Sequence, residues 1–164
     1  MSWRLTELVS MDDEMFDQES LERLQGEMLE EARKIYSEKV IDHWLNPRNV
    51  GRIEEPQGAG RATGICGDTM EMTLRIRNDR ILDINFLTEG CGTTAAVGSM
   101  TTELAKGKTV QEALGISTAD IIAAVEGLPP EHRHCADLAS TTLKNALLDY
   151  LENKREPWKL SYKK

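Results

Sequence analysis

Three cysteines, Cys66, Cys91 and Cys135, are the side chains of this 164-residue chain best suited to chemistry. Cys66 lies in Gly64-Ile65-Cys66-Gly67-Asp68, Cys91 in Gly90-Cys91-Gly92, and Cys135 follows a Pro-Pro loop through His132, Arg133 and His134. Glycine on either side of a cysteine removes side chains that would crowd a bound ion and permits backbone angles closed to other residues. The thiolate is the form that ligates metal, and a cysteine at a helix N-terminus has that form favoured by unpaired N–H groups and the helix dipole. The pattern predicts such a position for Cys91 and for Cys135. Asp68, two residues beyond Cys66, and His134, beside Cys135, are further potential ligands, with His132 in the same loop. A single cysteine is about as often a small buried hydrophobe, a single aspartate usually a cap, and a loop histidine usually a surface residue. The joint placement carries the argument. Its spacing is neither the paired Cys-x-x-Cys of a zinc ribbon nor a ferredoxin run, so spacing alone implies a metal or thiol site of open type.

Each cysteine falls where one element gives way to the next. From about Ser20 to Trp44 the apolar residues keep a nearly continuous helical period, stopped at Asn46-Pro47-Arg48-Asn49-Val50-Gly51. Residues 54–64, rich in Gly and Pro, read as loop. Met70, Met72, Leu74 and Ile76 then alternate, and after Asn78-Asp79 so do Leu82, Ile84 and Phe86. This predicts a β-hairpin with one buried face. Beyond it the period becomes helical: Thr93–Lys106 ending at Gly107, a short helix after the capping pattern Thr109-x-x-Glu112, another from Ala119 to Glu126, and a last one from Cys135 to about Lys154. Strands followed by helices predict an α+β fold with helices on one face of an antiparallel sheet.

The length suits one core with appendages. Ten acids against three arginines in residues 1–33 account for seven of the eight net negative charges. Leu21, Leu24, Met28, Ala32 and Ile35 form an apolar stripe there, so residues 1–33 read as an acidic helical extension. Such a leader is unlike an Arg-rich transit peptide or a nucleic-acid-binding arm. No run of about 18 apolar residues is present. An odd number of widely spaced cysteines is unlike the disulfide frameworks of secreted domains. The expectation is a cytoplasmic protein with reduced thiols, no membrane span and no nucleic-acid partner.

The residues themselves carry a resemblance. Tyr36-Ser-Glu-Lys-Val-Ile-Asp-His-Trp-Leu-Asn-Pro-Arg-Asn-Val-Gly51 resembles the opening of the IscU and NifU-N-terminal family of iron–sulfur cluster assembly scaffolds. Cys66-Gly67-Asp68, Gly90-Cys91-Gly92, and Leu128-Pro129-Pro130 followed by His134-Cys135 look like its three ligand motifs, in the same order. The resemblance spans residues 34–155 and leaves 156–164 as a basic tail. It implies a three-stranded antiparallel sheet, the strand absent from the pattern lying near Arg61–Cys66. It implies a non-enzymatic scaffold that builds a labile [2Fe–2S] cluster from Fe2+ and sulfur supplied by a cysteine desulfurase, then passes it to apo iron–sulfur acceptor proteins.

In that resemblance Cys66, Cys91 and Cys135 are the thiolate ligands, and Cys135, at an accessible helix entrance, is the candidate persulfide acceptor. Asp68 and His134 share the fourth position, and Asp68 is assigned to iron entry and cluster lability, because a hard oxygen ligand exchanges readily on a soft cluster. In an extended segment Cys66 and Asp68 point to the same side. A ferredoxin, an Hsp70-type chaperone and a second copy of the chain are further partners the family suggests. The family's chaperone docking segment, Leu-Pro-Pro-Val-Lys, here reads Leu128-Pro129-Pro130-Glu131-His132, with His132 where a lysine is usual. The alternative functions are a zinc-dependent sulfur acceptor working with a desulfurase, Zn2+ taking the same site, and an inert zinc-stabilised interaction module. The His134-Cys135 pair and the lack of a long insertion before it favour the scaffold.

Overall fold

In a computed structural model, residues 17–162 are described. The chain divides between Ile35 and Tyr36 into two units. In the first, the described residues form α1 (Gln18–Ile35), whose start is capped by the Asp17 carboxylate accepting from the Ser20 N–H at 2.9 Å. None of its residues is buried. The extension expected over residues 1–33 is thus helical from Gln18 onward, and its first sixteen residues lie outside the described ones.

The second unit opens with α2 (Glu38–Leu45). The helix expected to run unbroken from Ser20 to Trp44 is interrupted here. Ser37 is extended, with φ −65° and ψ 158°, and its hydroxyl accepts from the Val40 N–H, an N-cap that starts a new helix. The Asn46–Gly51 stop holds, and the chain then runs beside the strand that carries Phe86, through the Gly51 N–H to Phe86 carbonyl bond at 2.9 Å and its reciprocal from Phe86 N–H to Asn49 carbonyl, also 2.9 Å.

The sheet has three antiparallel strands in the order β1 (Gly58–Thr63), β2 (Thr69–Arg77), β3 (Arg80–Glu89). The α+β expectation is met. Two local readings differ. Leu82 was expected on the buried face with Ile84 and Phe86, but Ile81 is buried there and Leu82 is 49% exposed. The pairing shifts at Arg75/Ile76, from Arg75↔Asp83 to Ile76↔Ile81, so Leu82 is the extra residue of a bulge and turns outward. The Gly-rich stretch read as loop contains β1. Its glycines serve packing: a β-carbon on Gly60 would lie 2.8 Å from Ala146 Cα, and one on Gly58 would lie 2.9 Å from Tyr150 Cβ. Only glycine lets the strand come this close to a helix backbone.

That helix is α6 (Arg133–Arg155), which runs along β1 in the opposite direction and carries Leu138, Leu143, Ala146 and Leu147 into the core beside Met70, Met72, Leu74, Ile84 and Phe86. Polar bonds line the same seam. Ala59 N–H donates to Asp149 at 2.9 Å, and the Asn145 and Asn153 amides donate to the carbonyls of Arg61 and Gln57, each at 3.2 Å. Before α6 come α3 (Gly92–Ala105), α4 (Val110–Leu114) and α5 (Thr118–Ala124). The last two begin with capping boxes, Thr109 with Glu112 and Ser117 with Asp120. A 3-10 turn over Pro130–His132 leads into α6, and another over Pro157–Tyr162 follows it, where Lys159 pairs with Glu152 and Glu156.

Gly60→Ala forces β1 and α6 apart. Urea unfolding of this variant is expected to show a loss of about 2 kcal/mol or more. A change below about 0.5 kcal/mol, the range of a neutral surface substitution, contradicts the packing account.

Candidate metal centre

The topology brings the three cysteines to one end of the unit. Thr69 at the start of β2 pairs with Glu89 at the end of β3, so Asp68 and Cys91, the residues just before and two after that pair, leave the sheet at the same edge. Cys91 is the N-cap of α3. β1 follows α6 toward the helix N-terminus, with Gly64 against Leu138, so the turn holding Cys66 emerges at the end of α6 that bears Cys135.

Cys66 lies in a turn rather than in extended backbone. Gly64 N–H donates to Asp68 carbonyl at 2.8 Å, Gly67 N–H donates to Gly64 carbonyl at 3.1 Å, and Gly67 has φ +88°. This turn leaves Cys66 exposed and Asp68 half-buried. The i, i+2 argument for a common direction therefore fails locally. What aims Asp68 at the other cysteines is the Thr94 hydroxyl.

Thr94 is fully buried in the first turn of α3. Its Oγ1 donates to Asp68 Oδ2 at 2.7 Å and stands 3.4 Å from Cys91 Sγ and 3.5 Å from Cys135 Sγ. A hydroxyl offers one proton and two lone pairs. With both thiols protonated it can donate to Asp68 and accept from sulfur, and with thiolates present its proton can turn to them. Gly90 makes room for this junction, since a β-carbon there would lie 2.7 Å from Asp68 Oδ2. Thr94 was not among the residues singled out from sequence. The available signal was its position three residues after a cysteine N-cap, where a helical side chain faces back to the cap.

The two helix-start cysteines differ. Burial pushes the Cys91 thiol up, but hydrogen bonds from the Thr94 side chain and from the Thr94 and Thr93 backbone outweigh it, and the thiol falls below its ordinary value. Cys135 is only 1% exposed, and burial pushes its thiol up to about 11. The accessible entrance expected for Cys135 is therefore not present. It is the third residue of α6, and side chains there point back toward the helix start, in this case into the packed interior against α3.

Among the described residues, Cys91, His132 and Cys135 form a group whose possible ligand atoms all lie within 4.8 Å of one another. His132 Nε2 is 3.0 Å from the Tyr36 hydroxyl, which also receives the Thr93 hydroxyl at 3.4 Å. Tyr36 meets Trp44 edge-on with centroids 6.2 Å apart, and a β-carbon on Gly92 would fall inside the Trp44 indole. His134 is half-buried beside this group, its ring 6.3 Å from that of His132. Soft sulfur and borderline nitrogen donors at this spacing suit Zn2+, Fe2+ or an iron–sulfur unit. The third histidine, His43, is buried elsewhere, with Nδ1 2.7 Å from Ser99 Oγ, and takes a structural role.

The profile of the NifU-like N-terminal domain family matches residues 35–157. The chain belongs to this family. Within it, the chain is 46% identical over 117 residues to iron–sulfur cluster assembly scaffold protein IscU 1 of Archaeoglobus fulgidus, covering 71% of this chain and 76% of that protein. It is 48% identical over 119 residues to IscU of Aquifex aeolicus, covering 71% and 76%, and 44% identical over 126 residues to IscU of Escherichia coli K12, covering 74% and 97%. A crystal structure of a SufU-type assembly scaffold from Fervidobacterium islandicum superposes with a TM-score of 0.59 at 26% identity, covering 70% of this chain and 97% of that one. The family resemblance read from the motifs is thus established. No helix among the described residues of this NifU-like domain is long and apolar enough to cross a membrane.

Alkylation of the metal-free protein at pH 8 is expected to modify Cys66 and Cys91 well before Cys135, whose thiol is then only roughly one part in a thousand ionised. Mass spectrometry of the peptides checks the order, and equal rates at Cys91 and Cys135 contradict it. Because the folded state keeps the Cys135 proton up to about 11 while an unfolded thiol loses it near 9.0, stability falls as pH rises through that interval.

Proposed function

We propose that this NifU-like protein is a cytosolic scaffold on which a labile [2Fe–2S] cluster is built and from which it is passed to apo iron–sulfur proteins. The observation that carries the reading is the convergence of Asp68, Cys91 and Cys135 on one threonine hydroxyl, with Cys66 on the adjoining turn. The relatives' names as assembly scaffolds support it. Cys66, Cys91 and Cys135 would ligate the cluster, Asp68 and His134 sharing the remaining position.

The chain's own residues suggest how assembly proceeds. Cys91, exposed and with a lowered thiol, is the first thiolate available to iron. Cys135 has to lose a proton that burial holds, so an iron ion already at Cys91 assists by stabilising the second thiolate. Sulfur from a cysteine desulfurase arrives as a persulfide, a neutral sulfur atom attached to a thiol sulfur. Transfer is attack by a scaffold thiolate on that outer sulfur, with the desulfurase thiolate leaving. Conversion of the new persulfide to sulfide takes two electrons, for which a ferredoxin is a fitting donor. If Cys135 receives the sulfur, the loop from Leu128 to His132 has to open first.

Asp68 gives the site its incompleteness. A carboxylate is a hard, exchangeable ligand and adds negative charge beside three thiolates, which favours Fe2+ capture and disfavours retention of an anionic cluster. The scaffold turns over no substrate in this reading.

Anaerobic reconstitution with Fe2+, cysteine and a desulfurase tests the proposal. Iron and acid-labile sulfide in equal amounts are expected in the parent, and Cys66→Ser, Cys91→Ser and Cys135→Ser are each expected to lose the stable cluster. Zinc bound without sulfide in the parent would instead favour a zinc-dependent sulfur acceptor. Asp68→Ala should load iron more slowly and form a cluster whose visible absorption persists longer in air; faster decay contradicts the role given to Asp68.

A further inference from the structure

We propose that His132 is itself a metal ligand, held for that role by the Tyr36 phenol, and that Cys91, His132 and Cys135 take the first divalent ion before Cys66 joins. This deepens the scaffold reading and rests on it for the sense of the site, while the ligand assignment has a test of its own.

The donor atoms of these three residues lie within 4.8 Å of one another. Donors around a tetrahedral ion with bonds of about 2.0–2.3 Å stand roughly 3.5–3.8 Å apart. The trio needs to contract by only about an ångström, within reach of side-chain rotation. Cys66 lies outside this group, on its exposed turn.

Two further observations point to His132 as a prepared ligand. A metal-bound histidine almost always has its other ring nitrogen fixed by a hydrogen bond, which sets the tautomer and the ring plane. Here Nε2 is 3.0 Å from the Tyr36 hydroxyl, leaving Nδ1 for the ion, and Nε2–H then donates to the phenol oxygen. The phenol is in turn set by Trp44 and Thr93. The backbone is fixed as well: His132 ends the Pro130–His132 turn with its N–H donating to Pro129 carbonyl at 2.9 Å, and it is the N-cap residue of α6. One segment thus carries both His132 and Cys135.

The fitting ligand is a divalent borderline ion such as Fe2+ or Zn2+, held by two sulfurs and one nitrogen, with the fourth position left to water or to Asp68. Binding releases the two thiol protons and leaves the histidine neutral. The ion is then already on two of the three cysteines when Cys66 closes over it.

Anaerobic titration of the full-length, metal-free protein with Co2+ tests the assignment. Co2+ reports thiolate ligation through charge-transfer absorption and its remaining ligands through the visible ligand-field bands. In the parent a tetrahedral spectrum with two thiolates is expected. His132→Ala is expected to weaken Co2+ binding at least tenfold and move the visible bands. Tyr36→Phe should weaken it about tenfold with the bands in place, as for loss of a supporting hydrogen bond. A His132→Ala variant with the parent's affinity and spectrum overturns the inference. Nitrogen-15 spectra of the unsubstituted protein decide the same point without a variant: Zn2+ should displace the His132 Nδ1 signal, and an unmoved signal overturns the assignment. The two readings fail separately. Intact iron and sulfide assembly with an unmoved His132 leaves the scaffold without this ligand, whereas ion binding through His132 without any sulfide leaves the ligand without the scaffold.

Discussion

The close seam between β1 and α6 is the contact on which the site depends. Gly58 and Gly60 let the strand lie directly on the helix backbone at Ala146, and the amide bonds of Asn145 and Asn153 to strand carbonyls keep the two from sliding. A strand laid along a helix in this way ends where the helix begins. Cys66 and Cys135, 69 positions apart in the chain, therefore come to one end of the unit. Antiparallel pairing of β2 with β3 brings Asp68 and Cys91 to the same edge. The candidate site is thus a consequence of two pieces of ordinary packing, and its candidate ligands arrive from four different element ends. Such a site can loosen at one edge while the core beneath it stays closed.

At the centre of that edge stands a threonine, with a single hydroxyl proton for an aspartate and two cysteines. Burial keeps Cys135 protonated and leaves Cys91 the more acidic of the pair. These opposite tendencies support the proposed order of filling, Cys91 before Cys135. Asp68, Cys91 and the buried Cys135 each already have a polar partner in Thr94. Replacing those partners with metal is a modest change, and so is reversing it. In the proposed scaffold, lability would come as much from the hydrogen bonds that receive these groups when the metal leaves as from a weak fourth ligand.

Much of this was legible in the chain. Glycines around Cys66 and Cys91, and the Pro-Pro turn before Cys135, mark element ends, and the motif resemblance pointed to a family that the family match bears out. The hairpin and the capped helices followed from period and cap residues. What was not legible depended on partners distant in sequence. β1 reads as loop because its glycines answer to α6, a requirement visible only once the helix is in place. Leu82 looks like a core residue because alternation cannot show a bulge. Ser37 stops a helix whose apolar period continues through it, a case of one cap hydrogen bond outweighing pattern. Thr94 and the Tyr36–His132 pair were missed for the same reason: threonine, tyrosine and histidine are common, and only their convergence on the cysteines distinguishes them.

The central claim is that the cluster is held in order to be given away, and it is tested most directly by transfer. The cluster-loaded protein is mixed anaerobically with apo-ferredoxin and followed by circular dichroism in the visible, where the two clusters differ, with a chelator in solution to intercept free iron. The account predicts that the cluster signal moves to the ferredoxin despite the chelator, while the far-ultraviolet signal of the scaffold stays that of a folded protein. A cluster that remains on this protein as it would on a ferredoxin, or that reaches the acceptor only when no chelator is present, would contradict it.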